Sequence, residues 1–173
     1  MAGDVLTYSP DLVELVFGGY SVSGWNSIRI QRNVEFVKQI RGIRGKNAKE
    51  VSRDTSCTIT LSLPQSSEVN TILGKILELE ELSKGKVRLE IMLKDGGGES
   101  VFTSVECYIG GWPQVSYSAE LSDNEWKFLC DSSKWTLKGN EANKNALVDM
   151  VSGALGAAGS AISGAASNIS NMF

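Results

Sequence analysis

The sequence contains no histidine, and this absence removes several classes of function. Histidine is the commonest general base of enzymes and the commonest metal ligand. Without it, a histidine-based catalytic triad, a histidine metal site and a Cys/His zinc finger are all excluded. The sequence also lacks a nucleophilic-serine motif, a P-loop and a dinucleotide-binding motif. We therefore expect no enzymatic activity, no catalytic residues, no metal and no cofactor.

Long apolar runs and paired cysteine motifs are missing as well. An uninterrupted apolar stretch of about 20 residues would indicate a transmembrane helix, and none is present. The first residues have neither the basic nor the apolar region of a signal peptide. The three cysteines, Cys57, Cys107 and Cys130, are far apart in the sequence. We expect buried, reduced thiols and synthesis in the cytosol, with a single disulfide as the alternative.

Most of the first 138 residues follow the two-residue period of β-strands. Gly18-Gly19 between two apolar runs predicts a tight hairpin, and Asp95-Gly96-Gly97-Gly98 predicts a second turn. Strands are predicted around Ile28 and Ile30 and over 34–41, 55–63, 86–94, 99–109, 114–121 and 125–131, with 135–137 extending the last. The apolar side of 55–63 contains Cys57, Ile59, Leu61 and Leu63; that of 99–109 contains Val101, Thr103, Val105, Cys107 and Ile109.

Two segments change to the helical period. Val69, Ile72, Leu73, Ile76 and Leu77 predict a short helix with one buried face, covering an opening or an edge of the sheet. We expect a β domain over 1–138, a linker over 139–144, and an Ala/Gly/Ser-rich helical extension over 145–173. The extension is an interface helix, a surface appendage or a membrane-active helix, and the lack of Lys and Arg after Lys144 disfavours the last. Its expected packing face consists of Leu147, Val151, Leu155, Ile162 and Ile169.

Charge is distributed unevenly along the chain. Residues 29–53 contain eight basic and two acidic residues, a net charge of +6, so the remainder sums to −9 within a total of −3. Residues 41–54 are predicted to be a long exposed loop. It could bind nucleic acid, remain solvated or dock on an acidic surface, and the acidic remainder favours docking between copies of the chain. The docking residues would be Arg41, Arg44, Lys46, Lys49 and Arg53.

The order of several short motifs resembles the tail tube proteins of contractile-tailed bacteriophages. Tyr8-Ser9-Pro10 and Val16-Phe17-Gly18-Gly19-Tyr20 are similar to the first hairpin of that family. Further similarity lies in Arg32-Asn33 before Glu35-Phe36, in Ser52-Arg53-Asp54, in Gln65-Ser66-Ser67-Glu68-Val69-Asn70, in Tyr108-Ile109-Gly110-Gly111-Trp112-Pro113 and in Glu125-Trp126-Lys127-Phe128. The resemblance covers roughly residues 5–138 and does not extend to the C-terminal segment.

The resemblance implies a mainly β protein, a β-sandwich or barrel with one short flanking helix, in which hexameric rings stack into the inner tube of a contractile tail. It implies a virion protein assembled in the host cytoplasm. Its partners would be other copies, the tail sheath protein, and baseplate and tail terminator proteins, with no membrane. DNA would pass through the lumen without specific binding. The loop corresponding to residues 41–54 would make contacts within and between rings.

A lumen that conducts DNA should be neutral or negative, because fixed cations would trap phosphates. Two polar strand faces are candidates for its wall: Thr58, Thr60 and Ser62, or Ser116, Ser118 and Glu120. One alternative is a tube subunit of a related contractile injection or secretion system that carries effectors. Another is a β-sandwich carbohydrate-binding module whose tryptophans stack on sugars: Trp25, Trp112, Trp126 and Trp135.

Overall fold

The computed structural model describes residues 9–42, 45, 47–97 and 100–138, together with Gly153 and Gly156. Contacts divide the chain into two compact units, one of Thr7–Gly139 and one of Met1–Leu6 with Asn140–Phe173. In the second unit Gly153 and Gly156 are helical. The expected packing face of the extension lies outside the described residues: Leu147, Val151, Leu155, Ile162 and Ile169.

The described part of the first unit is built mainly from antiparallel strands. In chain order the elements are a 3-10 turn (Pro10–Leu12), β1 (Val13–Phe17), β2 (Tyr20–Val22), β3 (Ser27–Arg32), β4 (Val37–Arg41), β5 (Asn47–Val51), β6 (Cys57–Pro64), α1 (Val69–Ser83), β7 (Leu89–Asp95), β8 (Val101–Ile109), β9 (Asp123–Cys130) and β10 (Lys134–Thr136). The main sheet has the order β2-β1-β7-β8-β9-β6-β3, with β10 paired to β8.

Both predicted turns join antiparallel neighbours. Gly18 and Gly19 have φ angles of 49° and 88°, the left-handed conformation that a tight hairpin requires and that glycine adopts without steric cost. β7 and β8 also pair antiparallel, and the Asp95 amide donates to the Ser100 carbonyl at 2.9 Å. β10 pairs with β8 and does not extend β9, so the expected extension of the last strand is wrong.

The main sheet folds over on itself instead of lying flat. β7 and β8 separate β1 from β9 in the strand order. In a flat sheet these two strands would be roughly 14 Å apart, three spacings of about 4.8 Å. The ring centroids of Phe17 in β1 and Phe128 in β9 are nevertheless 5.0 Å apart. The two halves of the sheet therefore pack face to face, which confirms the predicted sandwich or barrel arrangement.

β6 and the helix supply much of the core between these halves. The four side chains that the period assigned to the apolar side of β6 are all fully buried: Cys57, Ile59, Leu61 and Leu63. From α1, Val69, Leu73 and Leu77 are buried as predicted. The indole N–H of Trp126 in β9 donates to Asn70 Oδ1 at 2.8 Å, and this bond fixes the first turn of the helix on the sheet.

β8 departs from the predicted alternation. Phe102 and Ser104 are buried in its first half, whereas Val105 is 61 % exposed. The register explains the change, because Leu89 lies opposite Cys107 but Ile91 lies opposite Ser104, so β8 contains one extra residue. Such a bulge reverses which side chains face inward. The sequence assigned Val101, Thr103 and Val105 to the apolar side, and for this half of the strand that assignment is wrong.

The structure also corrects the predictions for 114–121 and 41–54. Residues 112–118 are irregular, and the whole predicted strand 114–121 is exposed. Its period of two is present, but no strand within the described part of the chain pairs with it. Conversely, the predicted loop contains β5, because Asn47–Val51 pairs with β4.

Burial of the three cysteines is confirmed, but the expectation of three reduced thiols is wrong. Cys107 and Cys130 form a disulfide, and Cys57 is a free, buried thiol. The physical reason is the register of β8 and β9, which places Cys107 directly opposite Cys130.

Candidate assembly surfaces

Two strands form an arm outside the main sheet, which we define as β4, β5 and the turn between them. β4 and β5 pair only with each other among the described residues, with Val37 opposite Val51 and Arg41 opposite Asn47. Every residue of both strands is exposed. An isolated two-stranded hairpin is at best marginally stable in water. The arm is therefore an element that gains stability when another surface covers it.

The base of the arm is fixed by hydrogen bonds. The Ser52 amide donates to the Phe36 carbonyl at 2.9 Å, and the Asn33 amide donates to the Ser56 carbonyl at 3.2 Å. The Asp54 carboxylate accepts the Ser56 amide at 2.8 Å. This backbone bond, followed by a bond from the Ser56 side chain, holds the pKa of Asp54 below its ordinary value. The arm thus projects from an ordered base.

Two of the three described cations of the arm lie on one side of the hairpin. Lys38 lies directly opposite Glu50 across the ladder. Arg41 and Lys49 occupy the other side of the hairpin, where no acidic residue of β4 or β5 is present. Arg53 follows β5 and is exposed. Arg44 and Lys46, the remaining members of the predicted basic set, lie outside the described residues.

A second surface is the extended segment, which we define as Gln114–Ser122. It exposes large apolar side chains: Val115 at 48 %, Tyr117 at 89 % and Leu121 at 69 %. None of its backbone N–H groups donates a hydrogen bond within the described part of the chain. The segment therefore has the sequence period of a strand but lies exposed, and its backbone N–H groups remain available to pair with another strand.

Both ends of the extended segment are held by side chains. The Gln65 side-chain amide donates to the Ser116 carbonyl at 2.6 Å, and the Ser122 hydroxyl donates to the same carbonyl at 2.8 Å. Just before the segment, the Trp112 indole donates to Glu81 Oε1 at 2.9 Å. The segment is accordingly presented in a defined position at the surface.

A third surface is the polar face, which we define as the outward side of β3, β6 and β9. The registers place its side chains in rows: Ser27, Ser62 and Glu125; Arg29, Thr60 and Lys127; Gln31, Thr58 and Leu129. Asp123 continues the same side at one end of β9. Its two cations, Arg29 and Lys127, are balanced by the two carboxylates, so the face has no net charge.

Hydrogen bonds between side chains order the polar face. Asp123 accepts two bonds of 2.8 Å from the Asn26 side-chain amide and one of 2.8 Å from the Ser62 hydroxyl. The bond from Asn26, followed by that from Ser62, lowers the pKa of Asp123 below its ordinary value. Thr58 donates to Asn33 Oδ1 at 2.7 Å and so connects this face to the base of the arm.

The two predicted lumen faces therefore differ in structure. Thr58, Thr60 and Ser62 lie in β6, between β3 and β9. The other set belongs to the extended segment, where Ser116, Ser118 and Glu120 are exposed but form no strand. Of the two candidates for the lumen wall, only the set in β6 is part of a continuous sheet surface.

Comparisons with known proteins show which proteins share this fold. No protein-family model matches the chain. Structural protein ORF10 of Pseudomonas phage KPP10 is 25 % identical over 159 residues, which cover 86 % of this chain and 92 % of that protein. The tube-terminating cap of the anti-feeding prophage superposes with a TM-score of 0.51 at 15 % identity, covering 79 % of this chain and 99 % of the cap. The chain has the tail-tube fold.

A further solved structure agrees with the tail-tube fold. It is the tail of an empty gene transfer agent particle, refined with C6 symmetry, which superposes with a TM-score of 0.51 at 10 % identity. The match covers 77 % of this chain and 100 % of the tail protein. The sequence prediction of the fold is thus confirmed. The phage relative is a structural protein by name.

Tryptophan burial bears on the carbohydrate alternative. Trp126 is 2 % exposed, and Trp25 and Trp135 are packed against the core. Only Trp112 of the four is largely exposed, at 54 %. Three of the four tryptophans therefore pack in or against the core and do not form an exposed stacking surface. No helix of the described residues is long and apolar enough to cross a membrane, and no cluster of metal-binding side chains occurs among them.

Two features of the site were not predicted from the sequence. A strand was predicted over 114–121, which includes Val115, Tyr117 and Leu121, although Gly110-Gly111 and Pro113 just before it indicate a break. The sequence predictions also assigned no structural role to the side chains of Asn33 and Asp123. Both are Asx residues close to the ends of predicted strands, where their side chains commonly satisfy backbone and neighbouring polar groups.

Proposed function

We propose that the protein is the subunit of a phage tail tube. Six copies form a ring, and the rings stack into the inner tube of a contractile tail in the virion. DNA passes through this tube into the host cell. Assembly takes place in the host cytoplasm, with the tail sheath, the baseplate and a terminator protein as partners.

The observation that carries the proposal is the extended segment. It has the strand period, three exposed apolar side chains and free backbone donors. β2 and β3 end the strand order of the main sheet, so each has one edge without a strand partner among the described residues. Open edges and exposed apolar segments are liabilities for a monomer and are normally covered. A closed ring of identical subunits removes them all at once.

The arm supports contacts beyond one subunit. Its exposed position and its cations, Arg41 and Lys49 with the neighbouring Arg53, suit docking on an acidic surface of another copy. The chain outside residues 29–53 has a net charge of −9. Arm and body are thus complementary between copies, and a head-to-tail contact of this kind propagates from ring to ring.

The polar face suits the lumen wall. A conduit for DNA should present no uncompensated cations, because each one retains a phosphate. The rows through Thr58, Thr60 and Ser62 have zero net charge when Asp123 and Glu125 are counted with Arg29 and Lys127. The wall is therefore predicted to let DNA pass without specific binding.

A second candidate function is that of a ring that terminates a tube. It is favoured by the similarity to the tube-terminating cap of the anti-feeding prophage. A terminator forms rings that do not stack with one another, whereas a tube subunit forms rings that stack. A tube of an injection or secretion system would stack in the same way but would carry effectors instead of DNA.

Electron microscopy of the purified full chain tests the proposal. We expect rings with six subunits and, at higher concentration, stacked tubes in negative stain. Single rings at every concentration would favour the terminator. Monomers at every concentration, with no ring, would contradict both functions. A non-binding lumen would be contradicted if assembled tubes retain duplex DNA at low salt and if substitutions in the polar face abolish this retention.

A further inference from the structure

The three cysteines lie side by side on three neighbouring strands. Cys130 in β9 is opposite Cys107 of β8 and also opposite Cys57 of β6. Their exposed fractions are 0 % for Cys57 and Cys107 and 2 % for Cys130, so all three face the core. Neighbouring strands are about 4.8 Å apart, which places the Cys57 thiol beside the sulfur of a disulfide.

The row sets the direction in which the thiol approaches. A thiolate breaks a disulfide by attacking one sulfur while the other leaves. Cys57 approaches from β6, and Cys107 lies beyond Cys130 on β8. Cys57 therefore approaches Cys130 from the side opposite to Cys107, so the leaving group lies beyond the attacked sulfur.

A hydroxyl lies at each end of the row. Ser104 Oγ is 3.0 Å from Cys107 Sγ and donates its own hydrogen bond to the Ser132 carbonyl, so it can accept a hydrogen bond from a released and protonated Cys107 thiol. Burial raises the pKa of the Cys57 thiol above its ordinary value, and a hydrogen bond with Ser133 and the positive charge of Arg32 offset this only in part. Exchange should consequently be slow and should accelerate as the pH rises.

We propose that Cys57, Cys130 and Cys107 form an internal thiol–disulfide exchange site. The Cys57 thiol loses its proton and its sulfur bonds to Cys130 Sγ. The Cys130–Cys107 bond breaks, and Cys107 leaves as a thiolate that takes up the proton. No oxidant or reductant is consumed, and the covalent link to β9 moves from β8 to β6.

The same geometry forbids the third pairing. Cys57 and Cys107 are two strand spacings apart, about 9.6 Å, beyond the roughly 7 Å that a disulfide can span between Cα atoms. In an unfolded chain the preference is different, because the loop between Cys57 and Cys107 is shorter than the loop between Cys57 and Cys130. The native order of pairing is therefore distinguishable from random scrambling.

Three variants test the proposal, each leaving two cysteines: Cys57→Ala, Cys107→Ala and Cys130→Ala. The reduced, folded full-length proteins are treated with diamide, which takes up the two thiol hydrogens. They are then quenched with N-ethylmaleimide in acid and mapped by mass spectrometry. We expect C57A and C107A to form disulfides to Cys130 at least about tenfold faster than C130A forms one, since only the last pair is out of reach. In guanidinium chloride, C130A should form its disulfide faster than C107A, because the loop that it closes in the unfolded chain is shorter.

A C107A protein that is folded by circular dichroism but does not bridge would overturn the proposal, as would a folded C130A that bridges as fast as C107A. The wild-type chain provides the test if C107A does not fold. We hold the oxidised wild-type protein at mildly alkaline pH without reductant. It should accumulate the Cys57–Cys130 disulfide in addition to the Cys107–Cys130 disulfide. Cys107–Cys130 alone at all times, with Cys57 unchanged, would refute exchange.

Discussion

The extended segment offers the most direct test of self-assembly. We consider a variant in which its three exposed apolar side chains become serine: Val115→Ser, Tyr117→Ser and Leu121→Ser. Their exposed fractions of 48 %, 89 % and 69 % show that they contribute little to the core of a single subunit. Exposed positions of this kind change the free energy of unfolding by within about 0.5 kcal/mol each. The monomer should therefore keep its fold.

The effect on assembly is expected to be much larger. Full burial of one such side chain contributes about 1.5–3 kcal/mol, so the exposed fractions of the three together correspond to about 3–6 kcal/mol per contact. Each 1.4 kcal/mol is tenfold in a dissociation constant, so the contact between two subunits should weaken by about 10²- to 10⁴-fold. Rings that form in the wild type at micromolar concentration should then be lost.

Analytical ultracentrifugation and negative-stain microscopy measure this change, and thermal unfolding followed by circular dichroism measures the fold. The matched control is Leu79→Ser with Leu82→Ser, which removes two side chains from α1 that are 56 % and 82 % exposed. We expect the control to assemble like the wild type. If the segment variant forms rings at wild-type concentrations while the monomer remains folded, the assignment of the segment to a subunit contact is refuted.

The remaining predictions concern charge, pH and a buried hydrogen bond. Reversing the charge of two arm cations and of the neighbouring Arg53 should stop ring stacking while leaving the subunit folded. The variant carries Arg41→Glu, Lys49→Glu and Arg53→Glu. Normal tubes at low salt would show that the arm is only solvated. Because folding lowers the pKa of Asp123, its stabilising effect should be present above the ordinary value of 3.8 and be lost as the pH falls through the lower folded pKa. The difference in melting temperature between wild type and Asp123→Asn should accordingly shrink in acid; a constant difference would contradict this. Asn70→Ala removes both the acceptor of the buried Trp126 indole and the donor to the Pro64 carbonyl, and it should lower the free energy of unfolding by about 1–3 kcal/mol in urea titration. An unchanged free energy of unfolding would contradict this role of the side chain.

The sequence by itself determined those elements whose signal is local. The Gly18-Gly19 turn needs left-handed residues, and glycine supplies them without a partner. The alternation in β6 and the helical spacing of Val69, Leu73 and Leu77 reflect which side of each element meets the core. Such periodicity depends only on the geometry of one strand or helix, so it is readable from neighbouring residues.

The sequence also determined the absence of histidine chemistry and the separation of a basic stretch from an acidic remainder. These are properties of composition, which folding does not alter. The distribution of charge therefore pointed towards contacts between copies before any fold was known. The particular residues that make such contacts required knowledge of what the fold leaves exposed.

Only the tertiary structure decided the features that depend on pairing between distant segments. The bulge in β8 reverses the side on which Val105 lies, and the strand period of Gln114–Ser122 finds no partner within the described chain. The arm became a hairpin because β4 and β5 pair across their turn, and the register of β6, β9 and β8 brought three distant cysteines into one row. Strand pairing is set by contacts far apart in sequence, so a periodic pattern shows that a strand is favoured but not where its hydrogen bonds go.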